Sequence, residues 1–355
     1  MLRSFLLLLV YLWPAASSAR NSAGLFDSDE PLVIILETDL RTLMNDLSEE
    51  PSYQEGRLIL KTGATGINFL SVEIRTRGKS RRNTGLCEMP PLMLNFRNSH
   101  SAGTPFEGLK KVKMVNQCRS DIQHERYLVR EYLVYRSYNK LTDFSYRVRP
   151  VHITYRDTRR AISDQVLMAF LIEPDESLAA RTGSELYKQP VYSQDSCETA
   201  STNIMSLFQY MIGNTDWYVN TRHNMRIFQH PEMGFVPVPY DFDMSGAVNA
   251  HYATPAPNLG IKSVRERFFK GTCRPEESYK SSLELIISRK QEIYEAIQES
   301  AFGDAGNHKV LSKYYDQFYL LMSDPGKRAD ALANLCRPDP YNLLMTLGTK
   351  KSQPF

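Results

Sequence analysis

Cysteine is scarce: five residues, Cys87, Cys118, Cys197, Cys273 and Cys336, are spread over 355 positions. That spread excludes a disulfide-framework scaffold, and the absence of any C-x-x-C pair excludes the usual zinc fingers and ribbons. The odd count allows at most two disulfides with a thiol left over, and spacing leaves the pairing open. A membrane-spanning helix needs roughly 20 consecutive apolar residues, and the apolar run Phe5 to Trp13 is about half that. Charge of one sign is also missing. Lys plus Arg number 43 against 40 Asp plus Glu, a net +3, and no basic block exceeds the Lys79 to Arg82 cluster, which argues against a nucleic-acid partner.

Several catalytic patterns are absent as well. Glu125 follows His124, but Leu128 stands where H-E-x-x-H needs its second histidine. No G-x-S-x-G nucleophile elbow occurs. Gly78-Lys79-Ser80 has the end of a phosphate-binding P-loop without its beginning, since Glu73 replaces the first glycine and no helix signal follows.

What is present begins with Met1-Leu2-Arg3-Ser4, the apolar run that Pro14 ends, and the small residues Ser17-Ser18-Ala19. This reads as a cleaved secretory signal over residues 1–19, so an exported protein, periplasmic or secreted, without a membrane anchor after cleavage. A polar lead covers 20–30. The apolar run Pro31 to Leu36 reads as a buried strand, and Asp39 then caps a short helix carrying Leu40, Leu43 and Leu47. Further strands are expected at 57–61, 69–77, 92–96, 111–115, 148–155 and 166–172, with one long amphipathic helix over Ile122 to Leu141. From Glu198 the pattern turns helical. A helix ends at Gly213, strands follow at 224–228 and 235–240, and helices at 276–299, 308–322 and 325–335. The expected architecture is α+β in two lobes: a strand-rich lobe over 31–190, a helix-rich lobe over 191–336 beginning with an acidic site, and a tail over 337–355.

The chemistry concentrates between Gly213 and Gly246. Asp241 and Asp243, two apart at a strand end, would share a face if extended, and their mutual repulsion would be relieved by a hard divalent cation such as Mg²⁺. The plain alternative is a turn with Asp243 as a cap. Asp216 follows a helix end and is flanked by Asn214 and Asn224; it can accept a hydroxyl proton, or simply form an Asx-turn. His223 is read as structural. The cluster Arg75-Thr76-Arg77-Gly78-Lys79-Ser80-Arg81-Arg82 is a phosphate cradle or a solvated hairpin tip.

Residues from about Val72 to Phe242 resemble the spore-coat protein H (CotH) kinase-like family, in a divergent branch of exported bacterial proteins. The resemblance is carried by Arg77-Gly78, by Phe106 to Lys110, by Arg130 to Leu133, by Gly213 to Trp217 with His223-Asn224, and by Pro239 to Asp243. It implies a two-lobed protein-kinase-like fold, ATP and Mg²⁺ as cofactors, and transfer of the γ-phosphoryl group to a Ser or Thr hydroxyl of a protein acceptor. By position, Asp216 would be the catalytic acid, Asn224, Asp241 and Asp243 the metal ligands, and Glu131 the partner of a basic residue at the phosphates. The family's lysine is absent from Cys87 to Phe96, and Arg77, Lys79 or Lys111 would have to replace it. The alternative from another class is a catalytically inactive kinase-like envelope or secreted interaction protein. A metal-dependent hydrolase using the same acids is a third.

Overall fold

Alternating burial along residues 32–38 and 66–76, apolar inward and polar outward, is what a strand shows when one face meets a core. The computed structural model places strands at both. It describes residues 24–333 except 63–65, 79, 83–84, 98–100, 192 and 258. The expected signal segment, the tail, Lys79 and Cys336 therefore lie outside the described residues. Strand β1 (Leu32–Thr38) leads into α1 (Leu40–Asn45), whose first turn is capped by the Asp39 side chain accepting from the Thr42 N–H at 3.0 Å. Then come β2 (Gln54–Thr62), β3 (Gly66–Thr76), β4 (Leu92–Asn95), β5 (Lys111–Asn116), α2 (Ile122–Asn139), β6 (Val148–Asp157) and β7 (Gln165–Ile172).

These seven strands form a closed barrel in the order β1-β2-β3-β4-β5-β7-β6. Every ladder is antiparallel except the one that closes the barrel, where β1 runs parallel to β6 with Leu32 opposite Val151 and Thr38 opposite Asp157. The sequence reads as a sheet with a helix inserted, and the closure is the difference. It pairs segments more than a hundred residues apart in a register that no local pattern encodes. Ile34, Leu36, Leu58, Leu70, Val72, Leu94 and Ile153 fill the interior.

The remainder consists of α3 (Asp175–Thr182), β8 (Glu185–Leu186), α4 (Thr199–Ile212), β9 (Met225–His230), β10 (Gly234–Pro239), α5 (Lys280–Ser288), α6 (Lys290–Gln298), α7 (Ala305–Ser323) and α8 (Pro325–Ala333). Strands β10, β9 and β8 make a second, three-stranded sheet. The short α3 and β8 are not anticipated by the apolar pattern, and the helix expected over 276–299 is broken at Arg289.

Helix α2 joins the two parts. One side lies on the outside of the barrel, where Tyr132 and Tyr135 meet Phe170 of β7. The other packs against the C-terminal helices, with the Tyr315 hydroxyl of α7 donating to the Ser137 hydroxyl at 3.2 Å. Val115, Val148, Phe170 and Ile172 from the barrel exterior share one apolar core with α2, α4, β10 and α7. Cys87 and Cys118 form a disulfide, Cys273 is disulfide-bonded, and Cys197 is a buried thiol. Among the described residues no helix is long and apolar enough to cross a membrane.

Candidate active site

The loop after β3 begins with Arg77, whose N–H donates to the Pro91 carbonyl at 2.8 Å, and Gly78, whose φ of +88° suits a residue without a Cβ. A 3₁₀ turn over Ser80–Arg82 follows and carries Arg81 inward. Its return is fastened by the Cys87–Cys118 disulfide and by the Glu88 and Met89 N–H groups, both donating to the Cys118 carbonyl. Cys118 lies just ahead of α2, so the loop is tied to the base of that helix.

Arg81 contacts three carboxylates. Its guanidinium pairs closely with Asp243, lies 3.3 Å from Asp241 and 3.7 Å from Glu131 of α2. Glu131 and Asp243 are buried, whereas Asp241 is 44% exposed. Burial pushes the Glu131 carboxyl up to about 8, with Arg81 opposing and Asp243 and Asp241 adding to the rise. Asp243 is raised for the same first reason, burial, again against the pull of Arg81. Burial also disfavours charge on Arg81, but Asp243 and Glu131 outweigh it and hold the guanidinium firmly protonated.

The acid segment does not stay extended, and of the two expectations for it the chain follows the turn. Strand β10 stops at Pro239, and Asp241 has φ +63°, with its N–H donating to the Tyr135 hydroxyl at 2.7 Å. Asn224 is also a left-handed non-glycine residue of the site, at φ +51°. Non-glycine residues held in this region are uncommon, and they cluster where function constrains the backbone.

Asp216 sits beyond the C-terminus of α4. Gly213 ends that helix with φ +64°, as its sequence position leads one to expect, and a Cβ there would overlap the Tyr314 hydroxyl. The Asp216 N–H donates to Asn214 Oδ1 at 3.0 Å, an Asx-turn. Its carboxylate is held on both oxygens: Oδ1 meets His223 Nε2 at 2.7 Å, and Oδ2 accepts from Asn224 Nδ2 at 2.9 Å. The same Nδ2 donates to the Asp216 carbonyl at 2.9 Å, while the Asn224 carbonyl accepts from the Tyr240 N–H at 3.1 Å. One residue thus bridges Asp216 to the segment bearing Asp241. Lys270 braces the loop from behind, donating to the Thr215 and Trp217 carbonyls at 2.8 Å each.

A cleft opens between the barrel and this segment. Arg77, Gly78, Arg81, Lys113 and Asp241 form its polar lining, and Pro91, Val115, Ile172, Tyr135, Tyr146 and Tyr240 its mostly apolar walls. Apolar walls with a few convergent charges are the usual character of a small-molecule site. Lys113 is the cation that the sequence reasoning missed. It sits on the same outward face of β5 as Lys111 but one repeat further along. There its ammonium lies 3.4 Å from Asp175 and over the rings of Tyr146 and Tyr240. Lys111 instead lies over Tyr53, 5.5 Å from its centroid, and does not line the cleft. Burial lowers the Lys113 pKa, partly offset by Asp175. Asp175 stays below the usual carboxylate range because Lys113, the Tyr146 hydroxyl and Arg226 outweigh its burial.

Of the residues singled out by sequence, the structure brings together Arg77, Glu131, Asp241 and Asp243, and links Asp216 with Asn224 beside them. As a divalent-metal site the donor set does not fit: Asp243 is already paired with Arg81, and the Asn224 amide is turned toward Asp216. Among the described residues no group of three or more His, Cys, Asp or Glu side chains is placed to hold a metal ion. Arg81 belongs to the basic cluster visible in the sequence. The signal that picks it out is the need of two buried carboxylates for a cation.

No family model and no curated protein matches the chain. Among solved structures, a Helicobacter pylori proinflammatory kinase, CtkA, is similar over 73% of this chain and 97% of its own, at 10% identity and a TM-score of 0.36. The chain has mixed α and β architecture with a kinase among the structures it resembles.

Proposed function

We propose that the chain is a phosphotransferase of kinase-like type, moving the γ-phosphoryl group of ATP to a Ser or Thr hydroxyl of a protein acceptor. The observation that carries the reading is the bridge made by Asn224, which orients the Asp216 carboxylate and, through Tyr240, fixes the start of the Asp241 segment at a cleft bearing Arg77, Arg81 and Lys113. In this scheme the base enters between the apolar walls, and the phosphates meet the three cations. The acceptor oxygen attacks the γ-phosphorus, the bond from that phosphorus to the bridging oxygen breaks, ADP leaves, and the hydroxyl proton passes to Asp216. Negative charge developing on the transferred group is met by fixed cations of the chain, which need no reorganisation as it forms.

A specific observation favours the second reading, a nucleotide-binding interaction protein without catalysis: both Asp216 oxygens already accept from or pair with His223 and Asn224, and Lys113 is engaged by Asp175 instead of Glu131. Transfer from radiolabelled ATP to a mixed protein acceptor separates the two. The Asp216→Asn variant is expected to lose about 100-fold or more in transfer while keeping the thermal stabilisation that ATP confers. Stabilisation by ATP without any transfer by the wild type would support the binding reading, and absence of both would overturn the proposal.

A further inference from the structure

We propose that Arg81 is the resident counter-cation of Asp241 and Asp243, so that the cleft binds a nucleotide's polyphosphate without a divalent cation. This rests on the phosphotransferase reading of the cleft. A hard divalent ion ligated by both aspartates would have to lie within the few ångströms where the guanidinium already contacts Asp243 and stands 3.3 Å from Asp241. Two cations in that space repel, so metal and Arg81 compete for the same acids.

The fold favours the arginine. Its loop is tied down by the Cys87–Cys118 disulfide, and its side chain is only 13% exposed. Withdrawing it would leave Asp243, at 10% side-chain exposure, without its cation in surroundings that penalise an unpaired charge. Arginine also suits the place chemically, because its planar fork can serve more than one carboxylate at once, which a lysine ammonium does less well. On the cleft side, Arg77, Arg81 and Lys113 line the space with Asp241 as the acid among them. An incoming polyanion meets more positive than negative lining, and its phosphates find cations that are part of the chain.

The test is isothermal titration of the whole chain with ATP in EDTA and again in excess Mg²⁺. The two apparent affinities are expected to agree within about tenfold. Arg81→Gln is expected to weaken binding in EDTA by about tenfold or more and to regain it when Mg²⁺ is added. Mn²⁺ titration followed by electron paramagnetic resonance, without nucleotide, is expected to show no site in the wild type and a new one in Arg81→Gln. Because that variant strands two buried acids and can fail to fold, Arg81→Lys serves as the charge-conserving companion, with intermediate affinity in EDTA. Wild-type binding that requires Mg²⁺ would overturn this inference and leave the phosphotransferase reading standing. So would ATP binding in EDTA that neither variant weakens. No ATP binding under either condition would overturn both.

Discussion

Glu131 shows most directly what the site demands of a single residue. It is 2% exposed, one of its oxygens has no hydrogen-bond partner, and the nearest cation is shared with two aspartates. Burial therefore holds its carboxyl protonated up to about 8, from an ordinary value of 4.5. A group whose folded-state pKa is raised stabilises the native state fully below its unfolded value, and that contribution is lost as pH rises through the folded value. Between pH 4.5 and about 8 the wild type should lose stability relative to Glu131→Gln, which has no proton to release. For a chain of this size each kcal/mol corresponds to about 2–4 °C or less, so thermal melts of the two proteins across that interval should converge or cross by a few degrees. Parallel curves would mean that Glu131 is ionised throughout and shares Arg81 fully with the aspartates. At residue scale the sequence exposed most of the acids: Asp216, Asp241 and Asp243 stand out by density at element ends. It did not distinguish Lys113 from Lys111, since the two share a strand face and only the tertiary neighbours, Tyr146 and Asp175 against Tyr53, tell them apart.

The elements that position those residues depend on the loop between β3 and β4. The Cys87–Cys118 disulfide closes a segment with a sequence separation of 31 and anchors the Arg81 loop to the approach of α2. By the chain-entropy account, opening a loop of that length costs about 3–4 kcal/mol. Replacing both cysteines by serine should then lower the melting temperature by on the order of 10 °C. It should also weaken ATP binding, because Arg81 and Glu131 would no longer be held at a fixed separation. A melting shift with unchanged ATP affinity would show that the 3₁₀ turn holds its place without the clip. Most strands and helices around this loop are legible from alternation, turn residues and caps, as with Asp39 before α1 and Gly213 after α4. Barrel closure is not legible, because β1 and β6 are each an ordinary apolar strand and nothing local says that they pair in parallel. The pairing of α2 with both layers is equally hidden, since its buried residues, Glu131 and Arg130 among them, do not follow an apolar stripe.

For the whole molecule this makes α2 the element that decides where one part ends and the next begins. Twelve of its 18 residues are buried, far more than the single face a surface helix hides. The barrel covers part of that surface. The rest is covered by α6, α7 and the loop after Asp243, through Tyr315 on Ser137, Arg130 on Asn307 at 3.2 Å and on the Val248 carbonyl at 3.2 Å. A division near residue 190 follows the change in sequence character, but it cuts through this core and leaves Tyr127, Leu128 and Tyr138 without their C-terminal partners. A fragment of residues 24–190 keeps the barrel interior of Ile34, Leu58, Leu70 and Ile153 intact and is still expected not to form a soluble, cooperatively melting unit. It should aggregate or bind a hydrophobic dye strongly, because it exposes an apolar surface larger than monomers usually tolerate. The intact chain, by the same argument, should unfold in one transition seen alike by far- and near-ultraviolet circular dichroism. A soluble fragment with a sharp melt of its own, or two separated transitions in the whole chain, would instead make the barrel with α2 an independent lobe. The cleft could then open and close as a hinge between lobes, whereas a shared core confines its motion to the Arg81 loop and the side chains that line it.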